Sequence, residues 1–224
     1  MLVPALEGHR IWSATYDASP NALLALDRRT ISERLGSLRG LRVIDIGCGT
    51  GRWLVHAQEQ GADVFGVDAC EEMLRAALRK PAIAPRLILA EACRLPVRDA
   101  SADLTLCSFA LSYFPDLIPA FHEMNRITRP GGRVVVSDLH PDAVHAGWRR
   151  TFRSDGTVYE LTHHNDSICR LKSAVAQWGL YLDWEISAGF GEPEREIFHR
   201  AGKQDLFKAV SQIPAIKALS WIRQ

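Results

Sequence analysis

The sequence is poor in the features that tie a chain to a membrane, a metal or an oxidising compartment. Its five cysteines (Cys48, Cys70, Cys93, Cys107 and Cys169) are odd in number and scattered, and no CxxC pair occurs. That spacing offers neither a disulfide framework nor a zinc cage. No apolar run approaches the roughly 20 residues of a membrane span. The opening "MLVPALEGHRIW" lacks a basic segment followed by a long apolar stretch, so no signal peptide is expected and a reducing, cytoplasmic location is. An excess of one charge is missing too. With 27 Lys and Arg against 26 Asp and Glu, the net charge is +1, too weak to make nucleic acid or an anionic membrane an obligatory partner. Repeats, low-complexity tracts and linkers are absent. What is present is 47% hydrophobic residues over 224 positions, enough to bury a full core in one domain.

Along the chain, apolar runs alternate with segments of helical spacing. Trp12 to Leu38 suits helices lying against a core, broken near Ser19 to Asn21. "LRVIDIG" reads as a buried strand, and "RWLVHAQEQGA" as a helix closed by Gly61. A second strand, "DVFGVDA", precedes a helix that Pro81 stops. "RLILAEA" and "ADLTLCSFAL" follow as third and fourth strands, then the helix "DLIPAFHEMNRIT", a tight turn at Pro130 to Gly132 and a fifth strand, "RVVVSDL". Beyond Trp148, "GTVYELTHH" and "LYLDWEIS" read as strands, "SICRLKSAVAQWG" and "KQDLFKAV" as helices, and "PAIKALSWI" as the last strand. Strands alternating with helices predict a parallel sheet covered on both faces, a doubly wound α/β fold. Residues 1–39 form the helical segment, 40–140 a ligand-binding core, and 141–224 an elaboration that recognises substrate, together with the last strands.

In such a sheet the ligand sits at the carboxyl ends of the strands, where the strand order reverses. The first strand–turn–helix reads "VIDIGCGTGR", a GxGxG with Arg52 where a dinucleotide fingerprint needs its third glycine. A P-loop ending is also missing. A cradle for phosphate gains nothing from Asp45, two residues ahead of the turn. A carboxylate there suits an ammonium or sulfonium group, and Asp68, ending the second strand, suits the two hydroxyls of a ribose. The demand is for a cationic nucleoside without phosphates, which S-adenosylmethionine meets.

From Val43 to His140 the sequence resembles the class I S-adenosylmethionine-dependent methyltransferases, in particular those that modify small molecules. The resemblance rests on four ordered motifs: "VIDIGCGTGR", "VFGVDACEEML", "AEACRLPVRDASADLTLCSFALSYF" and "EMNRITRPGGRVVVSDLHP". It implies that Gly47, Gly49 and Gly51 contact the methionine and ribose part of the cofactor. Asp45 would hold the turn or the amino group, and Asp68 the ribose. Glu91, Ala92 and Cys93 stand where the family contacts adenine, with glutamate in place of the usual aspartate. Met73 belongs either to the core or beside adenine. Ser108 and Phe109 line the site of transfer, and Tyr16 either folds over the cofactor or simply packs. The resemblance also implies a doubly wound, mostly parallel, seven-stranded sheet with an N-terminal helical lid, and the product would be S-adenosylhomocysteine.

Methyl transfer asks the protein mainly for orientation and exclusion of water. A base is needed only where the acceptor must lose a proton, and it must lie near the acceptor. His140, directly after the fifth strand, is the first candidate, its alternative role being to cap the turn "HPDA". Tyr113 either positions an acceptor or packs. His163 and His164 fall in the substrate-recognising region, and at most one of two neighbours on a strand faces a shared cleft. With Asp166 they invite a metal reading, but opposite faces do not chelate, and no metal is expected. Cys48 has no catalytic role in this family. The basic run "WRRTFR" is expected to be solvated surface. No [DNS]PP[YFW] motif follows the fourth strand and no Pro-Cys pair exists, so nucleic acid is not the expected substrate. The expectation is transfer to an O, N or C nucleophile of a small molecule. Its rivals are a macromolecular acceptor, such as a peptide terminus or tRNA, and a cofactor-binding protein without transfer activity.

Overall fold

The computed structural model describes residues 1–18, 20–164, 167–175 and 178–224. The expected break at Ser19, Asp166 of the metal reading, and Ala176 and Gln177 of the helix "SICRLKSAVAQWG" lie outside the described residues. The strands are β1 (Leu2–Val3), β2 (Arg42–Ile46), β3 (Asp63–Asp68), β4 (Leu87–Leu89), β5 (Ala102–Ser108), β6 (Thr128–Leu139), β7 (Thr151–Ser154), β8 (Thr157–Leu161), β9 (Leu180–Ala188) and β10 (Ile216–Arg223). The helices are α1 (Ala5–Trp12), α2 (Ala22–Leu35), α3 (Arg52–Glu59), α4 (Glu71–Ala77), α5 (Leu117–Ile127), α6 (Pro141–His145), α7 (Ser167–Ala174), α8 (Glu192–Arg200) and α9 (Gln204–Val210). Among the described residues no helix is long and apolar enough to cross a membrane.

Seven strands form one sheet in the order β4-β3-β2-β5-β6-β10-β9, parallel except for β10, which runs antiparallel to both neighbours. The two-residue period of a strand sends alternate side chains to opposite faces, and β2 shows it directly. Ile44 and Ile46 join Phe121, Met124 and Ile127 of α5 and Leu171 of α7 in one core. Val43 joins Ile31, Trp53, Leu54 and Leu74, from α2, α3 and α4, in the other. The sheet is therefore buried on both sides, which is why its central strands read as continuous apolar runs. Strand order reverses between β2 and β5, and the ends of these two strands carry the glycine turn and Phe109.

The strand expected in "GTVYELTHH" is present as β8, in a separate small sheet, β1-β8-β7. Its hairpin turn is Asp155-Gly156, both at positive φ, the pairing that a two-residue hairpin loop demands. Pro130 to Gly132 does not separate helix from strand. β6 continues through it, and the register against β5 jumps from Ala102–Thr128 to Leu104–Arg133, with Gly131 at positive φ supplying the bend. Helix α8, unexpected from its charged sequence, is fixed by Arg29. That guanidinium donates to both oxygens of the buried Glu194, at 2.9 Å each, and the same carboxylate accepts from the Gly191 N–H.

Candidate active site

The turn after β2 holds Gly47, Gly49 and Gly51 all at positive φ, a conformation costly for any residue with a Cβ. Their surroundings differ. A Cβ on Gly47 would stand 2.4 Å from the Ala110 Cβ, and one on Gly51 2.3 Å from Ile83 Cδ1. One on Gly49 would meet nothing within 4 Å. Gly47 and Gly51 are thus glycine because protein packs against them, whereas Gly49 borders open space.

Two carboxylates belong to the strands that lead into and neighbour this turn. Asp68, at the end of β3, accepts from the Gly49 N–H at 2.7 Å and from the Cys70 N–H at 2.8 Å. Burial raises its pKa, and the backbone donors partly oppose the rise. Asp45 is 2% exposed, and among the described residues its carboxylate accepts no hydrogen bond. Burial pushes its pKa up to about 8; Arg52 pulls it down, while Asp68 and Asp27 push it further up. A buried carboxylate without donors is a costly arrangement. It has the chemistry to receive a cation.

Ser108, at the end of β5, does not open towards a ligand. Its hydroxyl donates to Asp27 at 2.7 Å and accepts from Arg52 at 2.5 Å. Asp27, fully buried on α2, also accepts from Arg52 (2.6 Å), Trp53 Nε1 (3.1 Å) and Ser137 Oγ (2.5 Å). This network ties α2 to the helix after the glycine turn and to the ends of β5 and β6. Sequence reasoning missed Asp27, although an acid between Leu23, Leu26 and Ile31 on an otherwise apolar helix face was a readable signal. Phe109 follows at φ +55, a strained conformation for an aromatic residue of the kind that collects at functional sites.

A cavity of about 120 Å³ opens beside Phe109. The expected residues Tyr16, Phe109 and Tyr113 line it, joined by His9, Trp12, Trp148 and Arg150, which sequence reasoning did not find. Its roof comes from two segments far apart in the chain. Trp12 of α1 stacks on Phe152 of β7, with ring centroids 4.9 Å apart, and also meets Tyr16 at 4.6 Å; His9 meets Tyr113 edge-on at 4.7 Å. The roof is latched to the glycine turn through Asp17, which accepts from Thr50 Oγ1 at 2.9 Å and from Lys80 Nζ at 2.8 Å. Lys80 also donates to the Thr50 carbonyl at 2.6 Å. Burial raises the Tyr16 hydroxyl to about 12 and lowers the His9 imidazole to about 4, so both are neutral near pH 7.

Arg150 corrects the reading of "WRRTFR" as solvated surface. Its side chain is 9% exposed, paired with Asp138, and its Nη1 donates to the Tyr113 hydroxyl at 3.3 Å. His140 is also placed differently from expectation. Its Nδ1 accepts from the Asp142 N–H at 3.1 Å, capping α6, and its Nε2 meets Ser187 Oγ of β9 at 2.9 Å. Both ring nitrogens are engaged, and the residue is not among those lining the cavity. The geometry therefore gives the base role no support, and the capping alternative describes what is seen. His163 and His164 follow β8 outside any strand and do not line the cavity either; His163 Nδ1 lies 3.0 Å from the Leu161 carbonyl, and the His164 N–H donates to Ser112. Met73 is buried in α4, Ala92 packs on the core, and Glu91 and Cys93 are exposed, the thiol reaching the Glu91 carboxylate at 3.5 Å.

Comparison with known proteins agrees with this geometry. Residues 44–136 match the methyltransferase domain family. Demethylmenaquinone methyltransferase of Staphylococcus aureus is 31% identical over 136 residues, covering 58% of this chain and 50% of that protein. The chain thus spans about half the length of the curated relatives it matches. The fold is shared with an S-adenosylmethionine-dependent methyltransferase from Mesorhizobium loti (TM-score 0.69, 21% identity, 91% of this chain and 100% of that one). It is shared too with geranyl diphosphate C-methyltransferase from Streptomyces coelicolor, solved with Mg2+, geranyl diphosphate and S-adenosyl-L-homocysteine (TM-score 0.62, 16% identity, 90% of this chain and 79% of that one). Residues 44–136 thus resemble the methyltransferase domain family, and the fold is one that S-adenosylmethionine-dependent methyltransferases share.

Proposed function

We propose that the protein binds S-adenosylmethionine at the glycine turn and methylates a small molecule held in the aromatic cavity. The observation that carries this reading is the pair of carboxylates around the open Gly49 backbone. Asp45, buried without a donor, calls for a cation, and Asp68 stands where a ribose diol would be held. The cofactor supplies a methyl group already activated by the positive sulfonium. The chain's own residues bind, orient and exclude water. Gly49 lets the backbone approach the ligand, Asp45 and Asp68 take its cationic and ribose ends, and Met73 with the stretch Glu91 to Cys93 borders the adenine side. The Asp27 network fixes the strand ends on which Phe109 and Tyr113 sit, and the Trp12–Phe152 roof keeps solvent out. Tyr113 positions the acceptor.

The acceptor is a small molecule because the cavity is narrow and roofed, and a curated relative is named for a small-molecule substrate. Residues 1–39, 40–140 and 141–224 act together as one domain, the first and last supplying the roof. A release assay for S-adenosylhomocysteine tests the reading. Turnover with small phenolic, enolic or amine acceptors, and none with peptide or tRNA, is the expected result. Cofactor binding with no release for any acceptor would instead make this a binding protein.

A further inference from the structure

Among the described residues, Arg149 and Arg150 line the cavity and no aspartate or glutamate does. Arg149 is half exposed and pairs with Glu160 at 3.5 Å. Arg150 is the informative one. Its guanidinium carbon lies 4.9 Å from the Tyr113 ring centroid and 5.7 Å from that of Phe109, held over both rings. Its side chain is 9% exposed, and its Nε has no hydrogen-bond partner among the described residues. Asp138 balances it only in part, because that carboxylate also accepts the N–H groups of Leu139 (2.7 Å) and Ser112 (3.1 Å). Arg150 also helps to hold the His9 imidazole neutral, after the larger effect of burial, so its positive field reaches into the cavity. Five aromatic rings, Trp12, Tyr16, Phe109, Tyr113 and Trp148, make up much of the remaining lining, which His9, three leucines, Asn21 and Thr151 complete.

We propose that the acceptor is a planar molecule with an acidic oxygen, bound as its anion with that oxygen at the Arg150 guanidinium and the Tyr113 hydroxyl. Flat aromatic walls select a flat ligand. A planar, permanently charged guanidinium favours an oxyanion over the neutral hydroxyl, because hydrogen bonds to a charged acceptor are the stronger ones. A protonated amine would meet the two arginines, whose paired carboxylates, Asp138 and Glu160, are not among the lining residues described. An acceptor that leaves its proton in solvent before binding needs no base, consistent with the engagement of His140 elsewhere. The proposal rests on the small-molecule methyltransferase reading and narrows it to a substrate class.

The test uses the full chain and three probes of one shape: 4-nitrophenol, its neutral methyl ether 4-nitroanisole, and 4-nitroaniline. Quenching of Trp12 and Trp148 fluorescence reads affinity, and the visible nitrophenolate band reads ionisation. 4-Nitrophenol should bind at least roughly tenfold more tightly than either neutral probe. The band should persist in the bound state at a pH where the free compound is mostly protonated. Tyr113→Phe should shrink the preference for 4-nitrophenol over 4-nitroanisole, and Arg150→Gln should abolish it. Because Arg150→Gln leaves Asp138 unpaired and can unfold the chain, Arg150→Lys serves as the second variant, keeping the charge and part of the preference. Equal affinities, binding of 4-nitrophenol in its neutral form, or no binding by any of the three overturns the proposal. Calorimetry with S-adenosylmethionine runs in parallel. Cofactor binding without an anion preference removes this inference alone, whereas loss of cofactor binding removes the reading beneath it.

Discussion

Asp45 shows what a ligand site costs a single residue. In the native chain its carboxyl titrates near 8 instead of the ordinary 3.8, chiefly through burial. The folded state therefore holds this proton more tightly than the unfolded chain does. Its contribution to stability is full below the ordinary value, declines as pH rises towards 8, and is flat above. Within that window the loss reaches at most about 1.4 kcal/mol per pH unit. Asp45→Asn removes the titration. Without ligand, the denaturant midpoint of the natural chain should fall relative to the variant between about pH 5 and about pH 9, with the variant the more stable at the upper end. Parallel midpoints across that range would mean that Asp45 has a partner or water that keeps it ionised. The sequence made this residue visible because a carboxylate beside a glycine turn is wrong for phosphate. It could not reveal that the side chain would be left without donors, since that depends on strands packing around it from both sides.

At the scale of elements, the glycine turn holds three similar residues with two different reasons to be glycine. The motif spelled out all three alike. Only the fold shows that Gly51 backs onto Ile83 and Gly49 onto open space. Gly49→Val should keep its fold by circular dichroism and lose cofactor affinity by more than roughly tenfold, through a blocked approach and a strained positive φ. Gly51→Val should instead lower the melting temperature, because its side chain must displace Ile83 from the core. Reversed outcomes would mean that the cofactor approaches the turn from its other side. Other elements were legible in proportion to how local their causes are. The core strands declared themselves through apolar runs bounded by glycine, and the Asp155-Gly156 pair held a hairpin signal that was overlooked. Helix α8 was not legible, because a residue 165 positions away neutralises its buried Glu194. His140 is a related case. Its place after β6 was right, but a ring that caps α6 and reaches β9 depends on tertiary neighbours absent from the local pattern.

For the molecule as a whole, sequence reasoning gave an N-terminal lid and a substrate-recognising elaboration far apart in the chain, and folding stacks parts of both into one roof. Trp12 on Phe152 joins α1 to β7, and Asp17 latches that roof to the turn where the cofactor is proposed to sit. The whole account depends on that cofactor and on Asp68 as its ribose anchor. The most direct measurement is isothermal titration of the protein and of Asp68→Ala with S-adenosylmethionine, with a nicotinamide dinucleotide as control. Saturable binding of S-adenosylmethionine alone is expected, weakened by roughly tenfold to a hundredfold in the variant, as fits the loss of a buried hydrogen-bond acceptor. Binding of the dinucleotide in its place, or equal affinity in the two proteins, would contradict it.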